Sequence, residues 1–131
     1  MKDHGVNYLD CPVSGGTAAA KAATSEAICF GESVGLDMST MLDVLNVSSG
    51  INSATQDKFP NEVLTRRFRS GFFSSLMAKD IKLFRESSKS VGQAGPIGGV
   101  VQQIWEDFAE QAPDHDFTEI YLHVQKTLGS H

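Results

Sequence analysis

Residues 73–91 read FSSLMAKDIKLFRESSKSV, and this stretch decides the fold. Phe73, Leu76, Met77, Asp80, Phe84, Ser88 and Val91 recur at steps of three and four, the spacing of one face of an α-helix. Ile81 and Leu83 widen that face. Gly92 and then Gly95-Pro96 stop the helix. Working toward the C-terminus, Val100, Val101, Ile104, Trp105, Phe108 and Ala112 carry a second helical pattern that Pro113 ends. Phe117, Ile120, Tyr121, Val124 and Leu128 carry a third. Working toward the N-terminus, Ala23, Ala27, Phe30 and Val34 mark an Ala-rich helix over 18–34, with Thr17 as its expected N-cap and Gly35 as its C-cap. Ser39 is the expected cap of a short helix through Met41, Leu42, Val44 and Leu45. A polar loop then spans Asn46 to Asn52. Another short helix is expected over Ser53–Lys58, with Pro60 in the first turn of the next. Val6 to Val13 is the one stretch that reads as a strand, closed by Ser14-Gly15-Gly16. A lone strand leaves its backbone groups unpaired, so this strand calls for a sheet that the chain does not visibly supply.

The bulk numbers narrow the function classes. The chain has 131 residues, of which 40% are hydrophobic and 21% charged, with a net charge of -5. That is a globular composition large enough for a core. A net negative chain repels phosphate backbones, so no nucleic-acid partner is expected. The basic run Arg66-Arg67-Phe68-Arg69 reads either as a solvated turn or as a local anion-binding edge. Cys11 and Cys29 form no CxxC, and the four histidines show no metal-ligand spacing, so no metal site is expected. No apolar run reaches the roughly 20 residues that cross a bilayer, so no membrane partner is expected. Residues 1–5 lack the apolar region of a secretory signal, and the expected location is cytoplasmic.

Three clusters carry candidate chemistry. Ser14-Gly15-Gly16, read as a turn into a helix, offers a hydroxyl and open amide groups to a carboxylate or phosphate, or is simply a turn. Lys79-Asp80 sits mid-helix. Spacing puts Asp80 among apolar residues, where a carboxylate needs a partner, and the alternative is an exposed charge pair. Lys21 follows the glycines and is either a proton donor beside an anion site or a solvated first-turn lysine. No G-x-G-x-x-G and no phosphate-binding loop occurs in the sequence.

Taken in order, these stretches resemble one family. Tyr8-Leu9-Asp10-Cys11-Pro12-Val13-Ser14-Gly15-Gly16 is similar to the D-A-P-V-S-G-G substrate signature of the β-hydroxyacid dehydrogenases of the 3-hydroxyisobutyrate dehydrogenase type. Glu26-Ala27 and Gly35-Leu36-Asp37 resemble the marks of the family's next helix, and Leu45 to Gly50 its next loop. Leu76-Met77-Ala78-Lys79-Asp80-Ile81 resembles the L-M-x-K-D-L helix. Pro96-Ile97-Gly98 and Asp116-Phe117-Thr118 resemble two later marks. The resemblance implies a mainly α fold, a helical bundle like the C-terminal part of 6-phosphogluconate dehydrogenase with a short N-terminal strand. It divides the chain into 1–16, a remnant of a Rossmann domain's last strand and substrate turn, and 17–131, the helical domain. It implies Ser14, Gly15 and Gly16 as holders of a substrate carboxylate and Lys79 and Asp80 as residues on the cofactor side. The implied reaction is hydride exchange between NAD or NADP and the CH–OH of a short hydroxy acid. The family also brings the mitochondrial matrix as a second location.

The departures shape the expectation. Members carry a dinucleotide domain with G-x-G-x-x-G, and about 50 further residues after the Ser-Gly-Gly, including a helix with G-x-G-x-x-x-K-x-x-N-N. Lys21 imitates that lysine, with Thr24 and Ser25 at the asparagine positions. However, Lys21 stands 14 residues before Gly35, where the family spacing is about 25. Counting from Gly35 puts the family's lysine inside the gap, so on that count the general-acid lysine is absent from the chain, and Lys21 stands only as an imitation of it. The expectation is therefore a domain that binds no dinucleotide and is inactive alone, assembled as a homodimer or by domain swapping. The alternative is a non-enzymatic helical module that self-associates.

Overall fold

Helix dominates, as the periodicity predicts. The structure, a computed structural model, describes the backbone of residues 5–129 and the side chains of residues 16–129. Its elements are α1 (Gly5–Ser33), α2 (Met38–Leu45), a π-helical segment (Ala54–Val63), α3 (Ser74–Ser90), α4 (Pro96–Gln111), a 3-10 turn (Phe117–Glu119) and α5 (Ile120–Gly129). The fold is mainly α, and no strand occurs among the described residues.

The expected N-terminal strand is therefore corrected. Val6–Val13 lies within α1, and so does Ser14-Gly15-Gly16, which is not a turn. Thr17 is helix interior rather than an N-cap. The physical reason is backbone pairing. A strand without a neighbour leaves its amides and carbonyls open, whereas a helix satisfies them four residues away within itself.

The chain forms two compact units. The first takes residues through Ala19 together with Phe73–His115, and the second takes Ala20–Phe72 together with the chain from Asp116 onward. In the first unit α3 packs on α4. Met77, Ile81 and Ser88 from α3 and Val101, Trp105 and Phe108 from α4 are buried. The buried stripe is rotated from the one the sequence suggests. Phe73, Leu76 and Val91 are exposed, because Phe73 and Val91 are the caps of α3 and the stripe facing α4 runs through 74, 77, 81 and 88. The first amides of α3 have no side-chain cap. Instead Ser74 N–H donates to the His115 carbonyl at 2.9 Å and Ser75 N–H to Pro113 at 3.2 Å. Trp105 is fully buried and its indole N–H donates to the Ala18 carbonyl at 3.2 Å. Arg85 reaches back to the start of α4, where Nη1 donates to the Gly95 carbonyl at 2.7 Å. A Cβ on Gly98 would stand 3.0 Å from the Arg85 Cδ, so glycine there makes room for the arginine stem.

In the second unit the end of α1 follows the sequence reading. Gly35 takes φ +90°, with Leu36 N–H bonded to the Gly31 carbonyl at 2.9 Å and Gly35 N–H to Glu32 at 3.0 Å. This paired closure needs a left-handed residue, which glycine supplies without strain. The cap of α2 is Asp37 rather than Ser39, because its carboxylate accepts Thr40 N–H at 3.0 Å. The two short helices expected around Pro60 are one π-helical segment, closed by Leu64 N–H to Phe59 O at 2.8 Å. In an α-helix the Pro60 ring would crowd the carbonyl four residues back, and a wider turn relieves that.

Arg66-Arg67-Phe68-Arg69 is a stapled turn with its arginine side chains exposed. Arg66 (φ 60°) and Phe68 (φ 48°) take the left-handed conformation, and Glu62 holds the loop by accepting Arg69 N–H at 2.8 Å. Glu62 is buried. Beyond this loop sits Asp116, which caps the 3-10 turn. Its Oδ1 accepts Thr118 N–H at 3.0 Å and the Thr118 hydroxyl, and the Ser70 hydroxyl at 2.9 Å. Its Oδ2 accepts Gly71 N–H at 3.0 Å. Phe117 N–H then donates to Phe72 O at 2.7 Å, and the two rings meet edge to face at 5.7 Å.

Two stability predictions follow from these anchors. Partial burial would raise the Asp116 carboxyl, but the hydrogen bonds from Thr118, Ser70 and Gly71 hold it below the usual carboxylate range. A depressed folded pKa stabilises above the unfolded value of about 3.9 and is lost as pH falls through the folded one. Asp116→Ala is expected to lower unfolding free energy by about 1–3 kcal/mol at pH 7 in urea titration, with the difference from the parent shrinking in acid. A difference that is flat from neutral pH to strong acid removes the carboxylate from this role. Gly35→Ala is expected to lose about 1 kcal/mol through its left-handed φ; an unchanged urea midpoint contradicts that.

Candidate functional site

The second unit buries a lysine. Lys21 lies on α1, two helical turns before Ile28, and is only 7% exposed. Its Nζ stands 5.0 Å from the centroid of the Phe117 ring. Burial lowers the pKa of this amine, and the ammonium of Lys58 acts in the same direction, bringing it to about 8. An amine in that range is part ammonium and part free base near neutral pH, so it can deliver or accept a proton.

The neighbours of Lys21 on α1 are polar and buried. Ser25 is fully buried and its hydroxyl donates to the Lys21 carbonyl at 2.8 Å. Thr24 is buried, and its Oγ1 accepts the Asn52 amide at 3.3 Å. Asn52 is the organiser of the polar loop. Its Oδ1 accepts Ala54 N–H at 2.8 Å and Thr55 N–H at 3.3 Å, and its own N–H donates to Thr55 Oγ1 at 2.9 Å. Sequence reasoning passed over Asn52 as a loop residue. The signal was present in Asn52-Ser53-Ala54-Thr55, an asparagine placed to cap the amides that open the next helical segment.

Two other buried groups are set against chemistry. Burial, with Glu32 beside it, pushes the Cys29 thiol up to about 11, which leaves little thiolate near neutral pH. Tyr121 is fully buried and donates to Glu32 Oε2 at 2.7 Å. Burial first and then Glu32 raise its hydroxyl far above the ordinary range. Its ring meets Phe59 edge to face at 6.0 Å and carries the Arg66 guanidinium 5.8 Å away. It is a packing and tethering residue.

The other expected site residues fall in the first unit. Gly16 is exposed within α1, while the side chains of Ser14 and Gly15's position lie outside the described side chains. In a helix interior the amides of this stretch bond to carbonyls of the preceding turn, so they are not an open anion cradle. Lys79 is exposed on α3 and Asp80 is half-buried beside it. Neither makes an ion pair among the described residues. A nicotinamide dinucleotide needs a run of open amides for its pyrophosphate. The described helices offer none at Gly16, and Lys79 supplies one exposed cation, so these residues do not fit the whole cofactor. No helix is long and apolar enough to cross a membrane among the described residues.

Comparison with known proteins follows the same line. The family described as NAD-binding of NADP-dependent 3-hydroxyisobutyrate dehydrogenase matches residues 17–124. A probable mitochondrial 3-hydroxyisobutyrate dehydrogenase of Arabidopsis thaliana is 31% identical over 141 residues, covering 94% of this chain and 41% of the relative. A counterpart in Dictyostelium discoideum is 24% identical over 187 aligned residues, covering 97% of this chain and 58% of the relative. Those 187 positions exceed the 131 residues of this chain by 56, so the relative has at least that many without a counterpart here. The solved Mycobacterium tuberculosis 3-hydroxyisobutyrate dehydrogenase with L-serine superposes with a TM-score of 0.83 at 24% identity, over 89% of this chain and 42% of that one. The chain spans about two-fifths of the length of the Arabidopsis relative. With the family matched across most of its residues and the helical architecture shared, the chain belongs to the β-hydroxyacid dehydrogenases of the 3-hydroxyisobutyrate dehydrogenase type, as their C-terminal-type helical domain.

Proposed function

We propose that this domain serves the oxidoreduction of a short hydroxy acid, with Lys21 as the group that moves the hydroxyl proton. The observation that carries this reading is the buried Lys21 amine, brought to about 8 inside the family-matched segment. In the oxidative direction the free amine takes the proton of the substrate CH–OH at Nζ. In the reductive direction the ammonium returns it to the carbonyl oxygen. A nicotinamide cofactor would supply the hydride chemistry in such a reaction. Support for the substrate class comes from relatives named for 3-hydroxyisobutyrate and, in Pseudomonas aeruginosa, for L-serine. The Dictyostelium alignment, at least 56 positions longer than this chain, supports a chain shortened against that relative.

By this reading the 131 residues alone bind no NAD(H) or NADP(H) and turn over no substrate. Calorimetric titration checks the first point, and saturable micromolar binding contradicts it. With the dinucleotide domain of a relative supplied in trans, oxidation of 3-hydroxyisobutyrate or L-serine is expected. Its rate should rise with pH around a midpoint near 8, because the free base is the active form. Lys21→Met should lower that rate by about 10²–10⁴-fold. A complemented activity that Lys21→Met leaves intact removes Lys21 from the mechanism.

A second element of the proposal is self-association. Phe30, Val34 and Val44 stand exposed in the second unit, with Phe30 at 68%. Burying such a surface against a second copy is the simplest way to remove it from water. Light scattering at high micromolar concentration is expected to give the mass of a dimer, and a monomer mass refutes it.

A further inference from the structure

We infer that Phe117 is a positioning residue for the Lys21 amine, its ring face fixing where the ammonium points and holding the charged form in a buried place. This rests on the reading of Lys21 as the proton carrier, and it names the group that governs that site.

The geometry is specific. Lys21 Nζ stands 5.0 Å from the Phe117 centroid, within the range in which a ring's negative face attracts a cation. Both residues are buried, Lys21 at 7% and Phe117 at 5% exposure, so water screens the contact little. The ring is not free to turn away. Phe117 N–H donates to Phe72 O at 2.7 Å, and the Phe72 ring meets it edge to face at 5.7 Å. On the other side of the same peptide Asp116 is fixed to Ser70, Gly71 and Thr118. The loop at 70–72 and the turn at 116–118 are thus clamped, and the ring is presented as a fixed surface.

Burial and a neighbouring charge act on the amine in the same sense. Lys58, on the π-helical segment, disfavours the ammonium. The Asp116 carboxylate lies next to Phe117 in sequence but accepts hydrogen bonds from Ser70, Gly71 and Thr118. Glu26, farther along α1, is exposed. Burial and Lys58 both push the amine toward its neutral form, and the ring face opposes them. Without the ring the amine would lose its proton at still lower pH.

The test reads the amine directly, without turnover. Lysine 13Cε and 15Nζ shifts of the labelled 131-residue chain are followed against pH, with Lys21 assigned through Lys21→Met. The parent is expected to titrate near 8. Phe117→Tyr keeps the ring face and is expected to keep that midpoint. Phe117→Leu is expected to lower it by about one unit. Pentafluorophenylalanine at 117 keeps the shape and removes the negative face, and it covers the case in which the leucine variant fails to fold; the same fall is expected. A fluorinated or leucine chain with native circular dichroism and an unmoved or raised midpoint overturns the inference. A parent midpoint at the ordinary lysine value instead overturns the proton-carrier reading, so the two failures are distinguishable.

Discussion

The carboxylate of Asp116 is the constraint on which the second unit depends. One side chain satisfies donors from Ser70, Gly71 and Thr118, joining segments 46 positions apart. A charged acceptor makes stronger bonds than a neutral one, and using both oxygens fixes direction as well as distance. Everything around it inherits that register. Phe117 is seated against Phe72, the 3-10 turn leads into α5, and Tyr121 arrives where it reaches Glu32 on α1. Lys21 is buried against the same seated ring. A helical unit with short elements cannot rely on helix propensity alone, since most helical stability comes from tertiary packing.

What the sequence made legible was local chemistry with a single solution. Gly35 ends α1 because a left-handed residue is required there, and glycine is the residue that takes it. Gly92, read as a stop for the helix before it, takes φ +71° just beyond the Val91 cap of α3. The patterns at 73–91 and 100–112 are long enough for period to decide helix over strand. Val6–Val13 was not legible. Its β-forming composition argues strand, but a strand is a relation between two segments, and no second segment is present among the described residues. Ser39 against Asp37 is a choice between two good caps three residues or fewer from one helix start, and the carboxylate took it. Pro60 reads as a first-turn residue in any α-helix. It sits deep in a helical segment here because the turn there is wider.

The site was legible in part. Lys21 was visible as a lysine after glycines, yet counting along the chain set it aside, because spacing from Gly35 disagreed with the family's. Spacing along one helix says which face a residue takes, not whether a distant ring closes over it. The ring beside the Lys21 amine belongs to Phe117, nearly a hundred residues away in the chain, and no local period records that. The same holds for Asn52 and Thr24, whose bond spans 28 positions. Lys79 and Asp80 show the converse. Their motif is unmistakable in sequence, but their immediate packing leaves Lys79 exposed and gives neither an ion pair among the described residues.

Asp116 and Lys21 also pull the stability of the second unit in different pH ranges, and the signs say something about each. The Asp116 pKa is depressed, so its contribution is present above the carboxylate range and lost only in acid. The Lys21 pKa is depressed too, but for a base that means the folded state binds fewer protons than the unfolded one between about 8 and the ordinary lysine value. Stability contributed by this group therefore rises with pH across that window, and below it the buried ammonium weighs against folding. A residue chosen for stability alone would not be a lysine at this place, since an apolar side chain of similar length would fill the same space without a charge to desolvate. On the proposed reading, a buried amine brought to about 8 beside a ring that is itself tied down is placed for proton transfer rather than for folding.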